Sequence, residues 1–334
     1  MYIYLFCRSG YVKRNTKNIL IGTGIAALGL SAMATVSYKL AEALVSVALD
    51  REAPKVSKKS KRRLTGADMS CSVSALLEEK GKRLKEKDLR CIEIVASDGE
   101  KLVGHLYQNK KAKRLIIAMH GWRSSWSRDF GMISEFWEEN DCNILYAEQR
   151  GQNMSGGSHM GFGMVERHDC HDWVNWANSF MEEKLPIYLA GISMGGATVL
   201  MASGEKFPEN VCGIMADCAY TSADDIWRHI AKNNLKISYR LMELFGENMC
   251  RKRINMGLKD YSTISAMEKN TLPVLFIHGK ADKFVPVEMT FENYRACKAP
   301  KSLLIVDGAG HAMSYMTDKA AYEKAMTDFW ERFR

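Results

Sequence analysis

The sequence predicts an α/β fold built on a mostly parallel sheet with helices on both faces. Three observations predict it. The apolar runs "RLIIAMHG", "CNILYAEQRG", "PIYLAGI", "VCGIMADCA", "PVLFIHG" and "SLLIVDG" are strand-length and continuous rather than alternating, the pattern of strands buried on both faces. Stretches with helical spacing separate them, as parallel crossovers require. Several of the runs end in polar loops bearing Gly, Asp, Ser or His, and a parallel sheet gathers its site at those strand ends.

Taken in order, the chain opens on an appendage. Residues 1–63 hold 12 Lys/Arg against 3 Asp/Glu, and the remainder holds 35 against 36. The formal charge of +8 therefore belongs to the N-terminal part, and the neutral body argues against a nucleic-acid partner. Residues 19–36, "ILIGTGIAALGLSAMATV", carry no charge. A transmembrane helix needs about 20 predominantly apolar residues, so the run is read as a membrane anchor. "AMA" at residues 32–34 makes a cleaved signal the alternative, and a buried core helix is the third reading. "GTGIAA" matches a dinucleotide fingerprint, but Lys/Arg-rich sequence follows it instead of a βαβ unit.

The appendage thus divides into a basic segment, anchor and amphipathic stretch over residues 1–52, then a polybasic linker over 53–88. Arg8, Lys13, Arg14 and Lys17 precede the apolar run closely, and only Lys39 follows before Arg51. The positive-inside rule then keeps the N-terminus in the cytoplasm and the body outside it. The basic run Lys55 to Arg63 suits an anionic inner leaflet, and nine cysteines without a pairing pattern suit a reducing compartment. Both favour the opposite orientation.

The body, residues 89–334, begins with "RCIEIVAS" and "KLVGHLYQ" around Asp98-Gly99, a hairpin signal. Residues 164–183 have helical spacing, "GGATVLMASGEKF" follows its strand as a helix, and 317–333 is the last helix. Residues 221–271 interrupt the alternation, with Ile230, Ile237, Leu241, Leu244 and Phe245 on one helical face. This insertion is expected to sit over the site as a lid. Arg228, Lys232, Lys236, Arg240, Arg251, Lys252, Arg253 and Lys259 make it mildly basic. The cysteines form no C-x-x-C pair and no zinc spacing, so neither a disulfide framework nor a metal site is expected.

The chemistry is carried by "LAGISMGGATVL". Ser193 stands between Gly191 and Gly195, directly after one strand and before a helix, as a nucleophile elbow requires. Asp282 follows the strand in "PVLFIHG", and His311 follows the strand in "SLLIVDG". The order Ser, Asp, His is that of a nucleophile, an orienting acid and a general base on such a sheet. Met194 N–H, at the helix start, and Trp122 N–H, after "MHG", are the expected oxyanion donors, with Gly121 as the alternative to Trp122. Asp217 also ends a strand and is the rival acid. His120 reads as structural. His168 and His171, with Asp169 and Asp172, read as a solvated helix start rather than metal ligands.

With these residues in place, the stretch from about residue 89 to 334 resembles an α/β-hydrolase. It is similar to bacterial membrane-anchored members of the serine aminopeptidase and monoglyceride-lipase-like group. The matching stretches are "HGWRSS", "EQRGQNMSGG", "FGMVERHDCHDWVNW", "GISMGG", "HGKADKFVP" and "GAGHA". Many relatives have D-x-R-G-x-G-x-S where this chain has Glu148 and Asn153, which bears on specificity more than chemistry. The resemblance implies a serine hydrolase acting on a small-molecule or lipid-like ester, or an amide, with no cofactor. A peptidase of the same fold and an inactive binding module are the alternatives.

Overall fold

The computed structural model describes residues 34–54, 57, 70–181 and 184–334. One sheet holds β1 (Arg90–Val95), β2 (Lys101–Tyr107), β3 (Arg114–Met119), β4 (Cys142–Glu148), β5 (Ile187–Ile192), β6 (Val211–Asp217), β7 (Val274–Gly279) and β8 (Lys301–Val306). Their spatial order is β1-β2-β4-β3-β5-β6-β7-β8. The hairpin turns at Gly99, whose φ of 90° needs glycine. β2 pairs antiparallel with β1 and β4, and every pairing from β4 across to β8 is parallel. The fold is that of an α/β-hydrolase.

Both faces of the sheet are covered, which is why its strands are apolar throughout. On β3, Leu115, Ile117 and Met119 enter the core formed with helices Glu166–Phe180 and Met194–Ala202. Ile116 and Ala118 point the other way, into a core with Phe130, Trp137, Phe329 and Trp330. β3 lies between β4 and β5, so successive connections leave it in opposite directions. Such a switch opens a crevice at the strands' C-terminal ends. The turns after β3 and β5 meet there, and only glycine allows the approach. A Cβ on Gly195 would lie 1.8 Å from Met119 O, and one on Gly191 would lie 2.2 Å from Gly195 O.

The stretch expected to be a linker contains a helix, Cys71–Lys85, capped by Ser70 and docked on the body. Leu77, Gly81 and Leu84 form its buried stripe. Gly81 packs against the Ser127 backbone, where a Cβ would meet Ser127 O at 3.0 Å. Lys80–Glu135 and Lys87–Glu138 ion pairs flank the contact. The lysines that make this segment look like a solvated linker thus sit beside an apolar stripe too narrow to dominate the composition.

Residues 34–49 are also helical, and Ala41, Val45 and Leu49 are buried against the insertion and the elbow helix. The apolar run 19–36 lies outside the described residues except for its last three. Among the described residues no helix is long and apolar enough to cross a membrane.

The insertion folds as helix Ala223–His229, a π-helical turn Ile230–Leu235, helix Arg240–Ile254 and helix Thr263–Met267. Its single apolar face is corrected at Leu244. Ile237 and Phe245 pack inward, whereas Leu244 is 68% exposed. Lys236, at φ 58°, ends the π-helical turn in a left-handed residue and breaks the helical phase. Half of the expected basic surface is paired: Arg228 with Asp224, Arg251 with Glu247 and Asp260, Arg253 with Asp50, and Lys259 with Glu243.

Gly→Ala inside a helix ordinarily stabilises by about 0.5–1 kcal/mol. Gly195→Ala is expected to reverse that sign and to cost about 1–3 kcal/mol or more through overpacking. Gly310→Ala, with open space around its Cβ, should stay within about 0.5 kcal/mol. Urea titration of the two variants checks this, and equal midpoints would contradict the packing account.

Candidate active site

Ser193 leaves β5 at φ 56° and ψ −115°, a backbone conformation that non-glycine residues adopt only under constraint. The constraint is visible on both sides. Its N–H donates to Asp217 O at 2.8 Å, and the glycine contacts above pin the following turn. The helix Met194–Ala202 starts immediately, so its first N–H groups have no intrahelical acceptor and its positive end faces the site.

His311 lies with Nε2 2.9 Å from Ser193 Oγ and Nδ1 2.6 Å from Asp282 Oδ2. Facing a carboxylate, Nδ1 carries the proton, which leaves Nε2 as the acceptor for the serine hydroxyl. Asp282 Oδ1 accepts from the Phe284 and Val285 N–H groups at 2.8 and 2.9 Å, so the loop holds the carboxylate in its plane. Burial works against the His311 imidazolium, but the Asp282 carboxylate outweighs it and the pKa lies above the ordinary histidine value. Burial also opposes the Asp282 charge. The His311 charge and hydrogen bonds from His278 and His311 prevail and hold the carboxyl well below the usual range.

His278 is a participant that sequence reasoning missed. Its Nε2 is 3.2 Å from Asp282 Oδ2 and 3.0 Å from Val285 O, both acceptors, so Nε2 bears hydrogen. Thr290 Oγ1 then donates to Nδ1 at 2.6 Å. The residue lies in "FIHG" on β7, where only an unexpected polar side chain in an apolar strand signalled it. Asp217 is brought close but not into the chain. It accepts from Ser314 Oγ at 3.2 Å, and burial pushes its pKa up to about 6. Cys218, Asp282 and His311 present possible ligand atoms within 4.8 Å of one another. The last two already hold each other, and burial pushes the Cys218 thiol up, so this group fits the hydrogen-bonded chain better than a cation.

The turn after β3 separates the two candidate donors. Gly121 N–H donates to Asp129 Oδ2 at 2.7 Å and is engaged, while Asp129 Oδ1 accepts from Ser124 Oγ. Trp122 N–H is the next donor along. His120 is buried: Gln149 N–H donates to its Nε2 at 3.2 Å, so Nδ1–H donates to Gly121 O at 2.8 Å. Asn153, at φ 49°, adopts the left-handed conformation that suits glycine or asparagine, and its amide donates to Ser124 O. Glu148 binds His105 and accepts from Met154 N–H. This loop therefore braces the turn after β3.

The histidines of helix Glu166–Phe180 stand apart from the site. His171 binds Ala202 O and stacks on Phe207. Asp172 accepts from Ser97, and Asp169 is buried in an ion pair with Arg150. The expected solvated helix start is corrected here, because Arg150 compensates the buried Asp169 charge and Asp98 extends the pair.

Above Ser193 lies a pocket that is partly open to solvent. Its walls are almost wholly apolar: Trp227, Ile230 and Leu235 from the insertion, Phe284 and Val285 from the acid loop, and Leu44, Val47 and Ala48 from the N-terminal helix.

A family model described as the prolyl oligopeptidase family matches residues 128–333. That is more than half of the chain, and the chain belongs to this family: it is a serine hydrolase of the α/β-hydrolase fold. YqkD of Bacillus subtilis is 28% identical over 191 residues, a match covering 56% of this chain and 61% of YqkD. YfhR of Escherichia coli is 25% identical over 246 residues, covering 71% and 79%. Among solved structures, the Pyrococcus furiosus esterase Pf2001 superposes with a TM-score of 0.61 at 23% identity, covering 75% of this chain and 92% of the esterase. Est1E from Butyrivibrio proteoclasticus, with ferulic acid bound, gives 0.57 at 20% identity, covering 72% and 98%.

Asp282→Asn should lower kcat by about four orders of magnitude, because the His311 tautomer would be reversed. Asp217→Asn should cost far less. A neutral imidazole is needed to accept the serine proton, so kcat/KM should fall as pH drops through a midpoint above the ordinary 6.5. In Asp282→Asn, residual activity should show that midpoint lowered, since the charge favouring imidazolium is gone. Steady-state pH profiles check this, and a larger loss in Asp217→Asn would make Asp217 the acid.

Proposed function

We propose that this member of the prolyl oligopeptidase family cleaves a carboxylic ester of lipid-like character through an acyl-enzyme. Ser193 Oγ attacks the carbonyl carbon as His311 Nε2 takes its proton. Asp282 holds the imidazole and balances the imidazolium. Trp122 and Met194 N–H groups receive the oxyanion, where one donor is worth about 3–4 kcal/mol. Collapse breaks the acyl–oxygen bond, and His311 returns the proton to the departing alcohol. Water then attacks the acyl-enzyme with His311 again as base. The observation that carries this reading is the Ser193–His311–Asp282 hydrogen-bonded chain opening into an apolar cavity.

A peptidase is the second reading, favoured by the family match itself. Against it, among the described residues the side chains lining the cavity include no acidic residue to hold a peptide amino terminus. Graded p-nitrophenyl esters against aminoacyl p-nitroanilides separate the two. Ser193→Ala should abolish labelling by a fluorophosphonate while leaving the melting temperature near wild type. Its residual hydrolysis should not exceed about 10³–10⁴ over water. Full labelling of that variant would remove Ser193 as nucleophile.

The apolar run 19–36 is proposed as a single membrane span, with the hydrolase body outside the cytoplasm. Support comes from the flanking charges and from outward apolar residues at the end of the run and just after it. Val36 and Leu40 are 69% and 42% exposed, and Tyr38 meets Phe245, the neighbour of exposed Leu244. Protease added to intact cells or spheroplasts should digest the body and spare the N-terminus. Full protection until lysis would place the enzyme inside.

A further inference from the structure

We propose that the helix of residues 34–49 is a working wall of the substrate pocket and selects acyl-chain length through Leu44 and Val47. The inference rests on the ester reading above and adds a specificity element from outside the hydrolase body. Leu44, Val47 and Ala48 line the same cavity as Ser193, with Trp227 and Leu235 of the insertion also on its wall. The helix is docked, not draped. Ala41, Val45 and Leu49 are fully buried on its inner stripe, leaving the pocket-facing residues at fixed positions beside it.

The end of the helix is gripped by the oxyanion turn. Trp122 Nε1 donates to Ala48 O at 2.8 Å. Arg123 donates from Nε to Val47 O at 2.9 Å and from a terminal nitrogen to Asp50 O at 2.5 Å. The Val47 and Ala48 carbonyls are ones a helix leaves unsatisfied, at the end where a cation is favoured. Arg123 makes the reach from a left-handed backbone, φ 50°. Met160 N–H donates to Leu49 O at 2.7 Å, and Arg253 of the insertion pairs with the Asp50 carboxylate. The turn that offers Trp122 N–H to the substrate, the insertion and the loop after β4 therefore all hold one segment. A segment that merely covered an apolar face would need the buried stripe but not residues lining the cavity.

The test uses the full chain and alkyl fluorophosphonates of graded length, from ethyl through octyl to dodecyl. Ser193 Oγ displaces fluoride from phosphorus and His311 takes the proton, so the labelling rate does not depend on the natural substrate. Val47→Phe should lower the octyl rate relative to ethyl by about tenfold or more, the scale on which a few methylenes are discriminated in an apolar pocket. Leu44→Ala should shift the preference toward dodecyl. Melting curves establish that each variant is folded, and if Val47→Phe is not, Leu44→Ala decides. Folded variants with the wild-type octyl-to-ethyl ratio would overturn the proposal. A shifted ratio in an enzyme that hydrolyses no ester would uphold the wall and remove the ester reading instead.

Discussion

The site depends on one close approach, the Gly195 backbone against the Met119 carbonyl. No side chain fits between them, and a single Cβ would arrive at 1.8 Å. The approach exists because β5 pairs with β3 on the side opposite β4, which brings the end of one strand onto the turn of the other. Ser193 is held in a strained conformation by that packing and by its N–H bond to Asp217 O. Relaxing the turn would relieve the strain and also withdraw the hydroxyl from His311. Stability and geometry are thus coupled at one contact, as expected where strain is kept at a reacting group.

Around this contact the polar groups divide the work without competing. Asp129 occupies Gly121 N–H, which sets it apart from the neighbouring Trp122 N–H, the donor proposed for the developing anion. His278 shares its proton between Asp282 and Val285 O, so the acid is oriented from its own strand as well as from its loop. Asp217 is close enough to be a rival but is bound to Ser314 instead. Its burial outweighs the pull of His278, Ser314 and His311, so its pKa moves in the opposite direction from that of Asp282.

The sheet and the three aligned side chains were legible because each depends on local signals. A strand run followed by Gly-x-Ser-x-Gly needs no knowledge of what lies across the fold, and the ends of β7 and β8 announce Asp282 and His311 by position alone. What was not legible depends on partners distant in sequence. The stripe Leu77, Gly81, Leu84 shows only that a face must be covered, and the lysines around it point to solvent. The amphipathic pattern before residue 52 likewise does not say that Trp122 and Arg123 will grip its carbonyls. Leu244 is exposed because the buried stripe of helix Arg240–Ile254 runs through Phe245, Met249 and Cys250, and Leu244 lies across the helix from it. His278 was passed over because an apolar strand normally buries its histidine for packing rather than for an acid several residues on.

The central claim is that Ser193 carries the acyl group during turnover. Rapid acid quench of the wild-type chain with p-nitrophenyl octanoate, followed by peptide mass analysis, tests it most directly. The account predicts a burst of nitrophenol and an octanoyl adduct confined to the peptide bearing Ser193. An adduct on another residue would contradict it, and so would hydrolysis with neither burst nor adduct in an enzyme whose deacylation is shown to be slow.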